Sequence, residues 1–297
     1  MMVEITFLGT SVAMPTKERN NTSILLSYKN ENILIDCGEG TQRQMRFAEI
    51  NPGKITRLLI THWHGDHILG IPGLLQTLSF NGYNKTFFIY GPKGTKEFVN
   101  QMLKTFAFQK NFEIKVEEVS GKFFETEDFY LEAEKMTHGI PCNAYNFIKK
   151  GLLRIDKKKI EKAKLSGPIV KKLKEGKNIN FNGKKYLAKN FTYREDGKKI
   201  SFVFDTSSNS KIIPFVKNSD LLVCESTFGD ELEEKAEEYK HLNASKSAEI
   251  AKKSNSKKLI LTHISQRYTK NSKELLDSAK KIFKNSIIAK DFDKFEV

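Results

Sequence analysis

Cysteine is scarce in this chain. Cys37, Cys142 and Cys224 are the only three, an odd number spread over 297 residues, and none has zinc-ribbon spacing. A disulfide framework is excluded, and the thiols are expected to be reduced and structural. Long apolar runs are also missing. Nothing approaches the roughly 20 residues that span a bilayer, and Met1-Met2-Val3-Glu4-Ile5-Thr6 has neither the basic start nor the apolar centre of a signal peptide. The expectation is a cytoplasmic protein. There is no internal repeat and no low-complexity tract, and 39% hydrophobic residues suffice for one large domain with room for an insertion.

Acid is short relative to base, 36 residues against 50, and the resulting net charge of +14 is not spread evenly. Between Lys149 and Lys199 stand 18 Lys or Arg and five Asp or Glu, a net +13. A stretch so basic and so poor in large apolar residues is expected to lie outside the main core, and its composition is compatible with disorder. Confinement of the charge to one segment favours a footprint for a polyanion, nucleic acid above all, over a merely solvated face.

Histidine numbers only six, yet three of the six fall in His62-Trp63-His64-Gly65-Asp66-His67. Leu58 to Thr61 reads as a short buried strand, and Ile68, Leu69, Ile71, Leu74, Leu75 and Leu78 have helical spacing with Pro72 in the first turns. The motif therefore sits on a strand-to-helix loop. His62 and His64, two apart on extended backbone, point the same way, and Gly65 relieves crowding where Asp66 and His67 begin a tighter turn. One catalytic ion takes about three protein ligands and keeps a position open for water. Four donors in six residues suggest two ions.

Elsewhere, strands are expected at Val3 to Phe7, Thr22 to Tyr28, Asn32 to Asp36, Thr86 to Tyr90, Phe112 to Val116 and Phe129 to Lys135, with helices at Gln42 to Ile50 and Gly94 to Phe106. The basic segment holds a short helix (Lys157 to Leu165), a turn at Gly167-Pro168 and Leu173-Lys174-Glu175-Gly176. Beyond it, Ile200 to Phe204 ends in Asp205, Leu221 to Cys224 ends in Glu225, and Leu259 to Thr262 ends in His263. His138 also stands just past a strand. Strand ends are where ligand sites form in layered α/β folds. We assign His62, His64 and His138 to one ion and Asp66, His67 and His263 to the other, with Asp205 bridging; mixed nitrogen and oxygen ligation suits zinc. Two such ions suit phosphodiester hydrolysis. His241, which follows no strand, is positioned to protonate a leaving oxygen, with Glu225 holding its tautomer.

With these residues in view, the chain resembles the metallo-β-lactamase superfamily, whose His-x-His-x-Asp-His signature it carries at 62 to 67. Within that superfamily it resembles the tRNase Z family of tRNA 3′-processing endoribonucleases. Pro15-Thr16-Lys17-Glu18-Arg19-Asn20 fits that family's Pro-x-Lys-x-Arg-Asn loop, which implies handling of the tRNA 3′ end by Lys17, Arg19 and Asn20. His263-Ile264-Ser265-Gln266-Arg267-Tyr268 fits its His-x-Ser-x-Arg-Tyr segment, which implies phosphate contacts by Ser265, Arg267 and Tyr268. The basic insertion, 150–199, with Gly167-Pro168, resembles a protruding arm that clamps the tRNA body. Cys224 and Val203 stand where many members have His and Ala, and neither change removes an expected ligand.

The resemblance implies an α/β fold, a four-layer αββα sandwich, and a single domain over 1–297 with the arm inserted. It also implies two Zn2+ per subunit, Mn2+ or another divalent metal being the alternative, and a homodimer in which one subunit's arm serves the other's site. The implied reaction is removal of the 3′ trailer from precursor tRNA just after the discriminator base, by metal-hydroxide attack that leaves a 3′ hydroxyl, with Asp66 assisting deprotonation. Two rival readings are a small-molecule metallohydrolase of the same fold, phosphodiesterase or thioesterase, and a non-catalytic RNA-binding protein with structural zinc.

Overall fold

The central strands are buried on both sides, which fixes the architecture, because a sheet buried on both faces must be covered on both. In the computed structural model, which describes residues 2–106 and 111–297, the strands are β1 (Glu4–Gly9), β2 (Ser23–Tyr28), β3 (Glu31–Ile35), β4 (Arg57–Leu59), β5 (Phe87–Gly91), β6 (Ile114–Glu118), β7 (Gly121–Glu125), β8 (Phe129–Met136), β9 (Cys142–Lys149), β10 (Leu152–Ile155), β11 (Ile179–Phe181), β12 (Lys184–Tyr186), β13 (Thr192–Glu195), β14 (Lys198–Val203), β15 (Leu221–Glu225), β16 (Leu259–Thr262), β17 (Ser286–Ile288) and β18 (Lys294–Glu296). One seven-stranded sheet runs β18-β1-β2-β3-β4-β5-β6 and the other β17-β16-β15-β14-β9-β8-β7.

Along β2 the pleat divides the side chains. Leu25 faces outward with Leu8, Leu34 and Leu58 against Met45 of the helix Thr41–Phe47 and Leu74, Leu75 and Leu78 of the helix Ile71–Phe80. Tyr28, two pleats on from Ile24 and Leu26, meets Phe147 of the other sheet edge to face, ring centroids 5.7 Å apart. The second sheet repeats the scheme: Val203, Leu222 and Leu261 face Ala248 and Ala251 of the helix Ala244–Lys253 and Leu275 of the helix Lys273–Ile282. The layers are thus helix, sheet, sheet, helix. Each fully buried large apolar side chain contributes about 1.5–3 kcal/mol. All three cysteines are buried and unpaired within this frame.

Parallel pairing joins β3, β4, β5 and β6 in the first sheet and β14, β15, β16 and β17 in the second. Their C-terminal ends carry Asp36, Thr61-His62, Asp205, Glu225 and His263. Several elements differ from expectation. The strand before the motif stops at Leu59, and the helical run splits into Gly65–Ile68 and Ile71–Phe80 with Pro72 in the first turn of the second. β7, β9, β17 and β18 had no counterpart in the expected elements. β9 escapes because Asn143 and Asn146 interrupt its apolar run, yet both are buried, donating to the carbonyls of Val119 and Phe215 at 3.0 Å each.

A second compact unit comprises Glu125–Tyr130 and Ile148–Lys198. It is ordered around its own small core, with Ile160, Leu165, Leu173 and Ala188 buried among Ile155, Val170, Ile179, Tyr186 and Phe191. Two antiparallel pairs, β10 with β13 and β11 with β12, accompany three short helices. The turn expected at Gly167-Pro168 opens the helix Pro168–Lys174, where proline serves as a first-turn residue whose missing N–H is no loss. No helix among the described residues is long and apolar enough to cross a membrane.

Leu173 is the centre of this small core, fully buried. Leu173→Ala is expected to remove about 2–5 kcal/mol from the local stability of the unit, read as faster amide hydrogen exchange at Lys171 to Glu175 with exchange in the two large sheets unchanged.

Candidate metal centre

The motif is held by backbone hydrogen bonds that extend both sheets toward it. Ile60 N donates to the Tyr90 carbonyl at 2.7 Å, Tyr145 Oη to the Ile60 carbonyl at 2.6 Å, and Asn143 N to the Thr61 carbonyl at 2.9 Å. His64 keeps extended backbone (φ −75°, ψ 150°), and the helix Gly65–Ile68 starts directly after it. That helix packs where a side chain is impossible: a Cβ on Gly38 would lie 2.4 Å from the Asp66 carbonyl oxygen, and one on Gly70 would lie 2.1 Å from that of Gly38.

Donor atoms then converge. His62 Nε2 and His138 Nε2 lie 3.1 and 3.2 Å from His64 Nδ1, and Asp205 Oδ2 is 3.4 Å from His62 Nε2. On the other side His67 Nε2 and His263 Nε2 are 3.1 Å apart, with Asp66 Oδ2 3.4 and 3.5 Å from them. Asp205 turns Oδ1 toward this second group, 3.2 Å from His263 Nε2 and 3.5 Å from His67 Nε2. Within each group the donor atoms lie within 4.8 Å of one another. Both sets read from the sequence are therefore assembled, and Asp205 presents one oxygen to each.

The chemistry of this donor set fits cations. Asp205 Oδ1 is buried and accepts no hydrogen bond despite its imidazole neighbours. The outer nitrogens are engaged: His67 Nδ1 with Asp36 Oδ2 at 2.7 Å, His62 Nδ1 with Thr61 Oγ1 at 3.0 Å, His263 Nδ1 with Thr227 Oγ1 at 3.0 Å, and His138 Nδ1 with the Lys240 carbonyl at 3.3 Å. Such bonds fix each ring so that its other nitrogen faces inward. Asp36, Asp66, Asp205 and Glu225 are ion-paired only with histidines among the described residues. Burial alone favours the neutral acid at Asp66, but the charge of His67 and hydrogen bonds from His263 and His67 hold it well below the usual carboxylate range. Burial opposes charge on His67 as well, and there Asp205, Asp36 and Asp66 outweigh it, raising its pKa well above 6.5. Buried carboxylates in excess require compensating positive charge.

His241 sits beside this array. Its Nδ1 is 2.9 Å from Glu225 Oε2, and Glu225 is itself fixed by Thr206 N at 2.7 Å and Thr227 Oγ1 at 2.6 Å. Burial would lower the His241 pKa; Glu225 and Asp205 reverse this and push it up to about 9. The pairing read from the sequence is thus present as a contact.

Sequence reasoning overlooked Asp36. It is fully buried, accepts from Thr61 N, Thr61 Oγ1 and His67 Nδ1, each at 2.7 Å, and takes a positive φ of 56°. Its signal was available, an acid at a strand tip like Asp205 and Glu225, hidden because Asp36-Cys37-Gly38 reads as a turn. Asp205 and His263 also have positive φ, 22° and 60°. Strain of this kind costs on the order of 1–3 kcal/mol per residue and concentrates at functional sites. Ala13 was overlooked too, and its N–H donates to Asp66 Oδ2 at 2.8 Å.

The expected substrate contacts separate. Ser265 and Arg267 line a cavity of about 450 Å³ together with His64, His138 and His241. Two others make hydrogen bonds inside the protein. Arg19 is buried, its Nη1 donating to Thr10 Oγ1 at 2.7 Å and the Ala289 carbonyl at 2.6 Å. Tyr268 Oη donates to Glu231 and accepts from Gly229 N at 2.8 Å. Both position loops instead of facing the cavity. Asn20 Nδ2 donates to the Glu39 carbonyl at 2.7 Å, while Lys17 is exposed. Gly167 and Pro168 belong to the second unit, Gly167 with φ 62°.

Asp36→Ala strips the outer partner from His67. The affinity for a divalent metal ion, titrated against a chromophoric chelator, is expected to fall about 10–100-fold.

The family model for Anti-Pycsar protein Apyc1 matches residues 3–145, short of half the chain. The chain is similar to the ribonuclease Z of Nanoarchaeum equitans, 39% identical over 293 residues, covering 98% of this chain and 92% of that one. It is similar to the ribonuclease Z of Listeria monocytogenes at 40% identity, with 99% of each covered. Among solved structures, human tRNase Z, short form, is 27% identical with a TM-score of 0.73 over 98% of both chains. YhfI of Bacillus subtilis, a metallo-β-lactamase fold protein, is 19% identical with a TM-score of 0.73 over 100% of this chain and 99% of that one. At this identity over almost its whole length, the chain belongs to the ribonuclease Z family, endoribonucleases built on the metallo-β-lactamase fold.

Proposed function

We propose that the protein removes the 3′ trailer from precursor tRNA, cutting just after the discriminator base. The observation that carries this reading is identity near 40% to ribonuclease Z relatives across 98–99% of the chain, the basic segment included. The reading includes two zinc ions: His62, His64 and His138 would hold one, Asp66, His67 and His263 the other, and Asp205 offers an oxygen to each group; the geometry and the mixed donor set support it. Ions so held supply Lewis acidity, activating a water and screening phosphate charge.

The chain's own groups do the rest. Thr61, Asp36 and Thr227 orient the imidazoles. Asp66, kept ionised, is the base assisting deprotonation of the water. His241 delivers a proton to the 3′ oxygen as the P–O3′ bond breaks, with Glu225 holding its Nδ1 side. The water's oxygen ends on phosphorus, so the tRNA leaves with a 3′ hydroxyl and the trailer with a 5′ phosphate. Ser265 and Arg267 bind phosphate in the cavity, Lys17 serves the 3′ end, and Arg19, Asn20 and Tyr268 hold their loops in register.

The arm, 150–199 with Gly167-Pro168 at its helix start, binds the tRNA body through phosphates and shape. A homodimer in which each arm serves the partner subunit's site, working in the cytoplasm, completes the reading. A small-molecule hydrolase would have no use for a net +13 in one segment.

Precursor tRNA bearing a trailer is expected to be cut after the discriminator base by zinc-loaded protein and left intact with chelator. Gly151 and Gly197 lie close, a Cβ on Gly197 being 3.1 Å from Gly151 N, so the arm can be excised by joining them. Excision is expected to lower cleavage on the order of a hundredfold or more with metal content preserved. Cleavage that survives excision while a small phosphodiester is hydrolysed equally well would sink the tRNA assignment.

His241→Ala is expected to lower kcat by about 10²–10⁴ with metal content unchanged. Unaltered turnover in single-turnover kinetics would end the proton-donor role.

A further inference from the structure

Two cavities meet at His64. One, described above, contains Arg267, Ser265 and His241; the other, of about 750 Å³, lies on the opposite flank of the motif and contains Trp63, Phe98, Ile140 and Pro141. Nothing in the reaction so far uses the second. Its walls are mainly apolar, and its volume is within the usual range of small-molecule sites.

The aromatic pair in it is prepared for a flat ligand. Trp63 and Phe98 have ring centroids 5.0 Å apart with planes inclined by 33°. Trp63 Nε1 donates to Thr95 Oγ1 at 3.0 Å, and Thr95 Oγ1 donates onward to the Pro92 carbonyl at 2.7 Å, which fixes the indole. Phe98 is 44% exposed on the first turns of the helix Thr95–Thr105, an unusual position for an uncovered ring.

The charged lining groups separate by sign. Glu118 Oε1 accepts from Gly94 N and Lys96 N at 3.0 and 3.2 Å, and Glu97 Oε1 accepts from Gln101 Nε2 at 3.1 Å, so both acids are engaged with the protein. Lys93 and Lys96 make no ion pair among the described residues, which leaves two ammonium groups beside an aromatic platform. Aromatic rings flanked by cations fit the bases and phosphates of a single RNA strand.

We infer that this cavity is the subsite for the first trailer nucleotide, whose base stacks on Phe98 and Trp63. The side of the cut follows from the chemistry of the proposed function, on which the inference rests. His241 protonates the 3′ oxygen of the tRNA, so the discriminator nucleotide occupies the His241 cavity, and the nucleotide that keeps the phosphate continues past His64 into the other. Stacking tolerates any base, so the subsite accepts trailers of any sequence while registering the first of their nucleotides against the scissile phosphate.

The test uses zinc-loaded full chain, Phe98→Ala and Phe98→Tyr, on precursor tRNA with either a normal or an abasic first trailer position. Phe98→Ala is expected to lower kcat/KM about tenfold or more on the normal precursor, the scale of one stacked base, with zinc content unchanged and Phe98→Tyr close to wild type. The abasic change is expected to cause a similar loss, and the two losses should coincide instead of adding. Additive losses, or no loss from Phe98→Ala, would overturn the subsite while leaving the tRNA reading intact. Coupling of Phe98 to an abasic discriminator position would overturn the assignment of sides. If zinc-loaded wild type cuts no precursor, the function and the subsite fall together.

Discussion

Three buried carboxylates and the partly buried Asp66 stand together with six imidazoles, and the structure around them answers that electrostatic problem. Asp36, Asp66, Asp205 and Glu225 have no Lys or Arg partner among the described residues, and Asp205 Oδ1 has no hydrogen bond at all. Isolated charge of this kind is expensive to bury, and pairing is what makes it tolerable. The inward imidazole nitrogens crowd to 3.1–3.2 Å of one another. Cations held by these donors would relieve both conflicts.

That constraint explains why the site is built at strand ends. A strand inside a sheet has its backbone paired along the ladder, and at and beyond its last rungs the chain is free to turn a polar side chain inward. β3, β4, β14 and β16 each stop one to three residues before a site residue, and β15 ends on Glu225. Asp36, Asp205 and His263 then leave the strand through positive φ, a conformation the surrounding hydrogen bonds enforce. The rigidity of two covered sheets is what allows strained residues to be held in register.

The strands and the candidate donors are read from local periodicity and repetition of one pattern, an apolar run followed by a histidine or acid, whereas the αββα layering came from the family resemblance. Where the pattern is broken by buried polar residues, as in β9, or where pairing is between distant ends, as when the charged β18 joins β1 through Glu4 and Glu296, periodicity carries no signal. The basic segment misleads for a related reason. Its core needs only a handful of apolar residues around Leu173, diluted among lysines that the surface of a small unit can carry. Asp36 stays hidden because its partners, Thr61 and His67, are 25 and 31 residues away.

Arg19 and Tyr268 show a limit of a different kind. Both belong to motifs whose resemblance implies contact with RNA, and both are tied to the protein's own Ala289 and Glu231. Arg19 also joins Thr10, whose hydroxyl donates to Asp291 at 2.7 Å, so the segment 15–20 is anchored to the far end of the chain. A motif in sequence names residues whose loss disturbs a function; it does not say whether the side chain reaches substrate or fixes the loop that does. For this loop the distinction is physical. A buried guanidinium bonded to a hydroxyl and a carbonyl cannot swing out without leaving both unsatisfied. At the site itself, the N–H of Ala13, just ahead of this loop, bonds Asp66, and Lys17 is exposed.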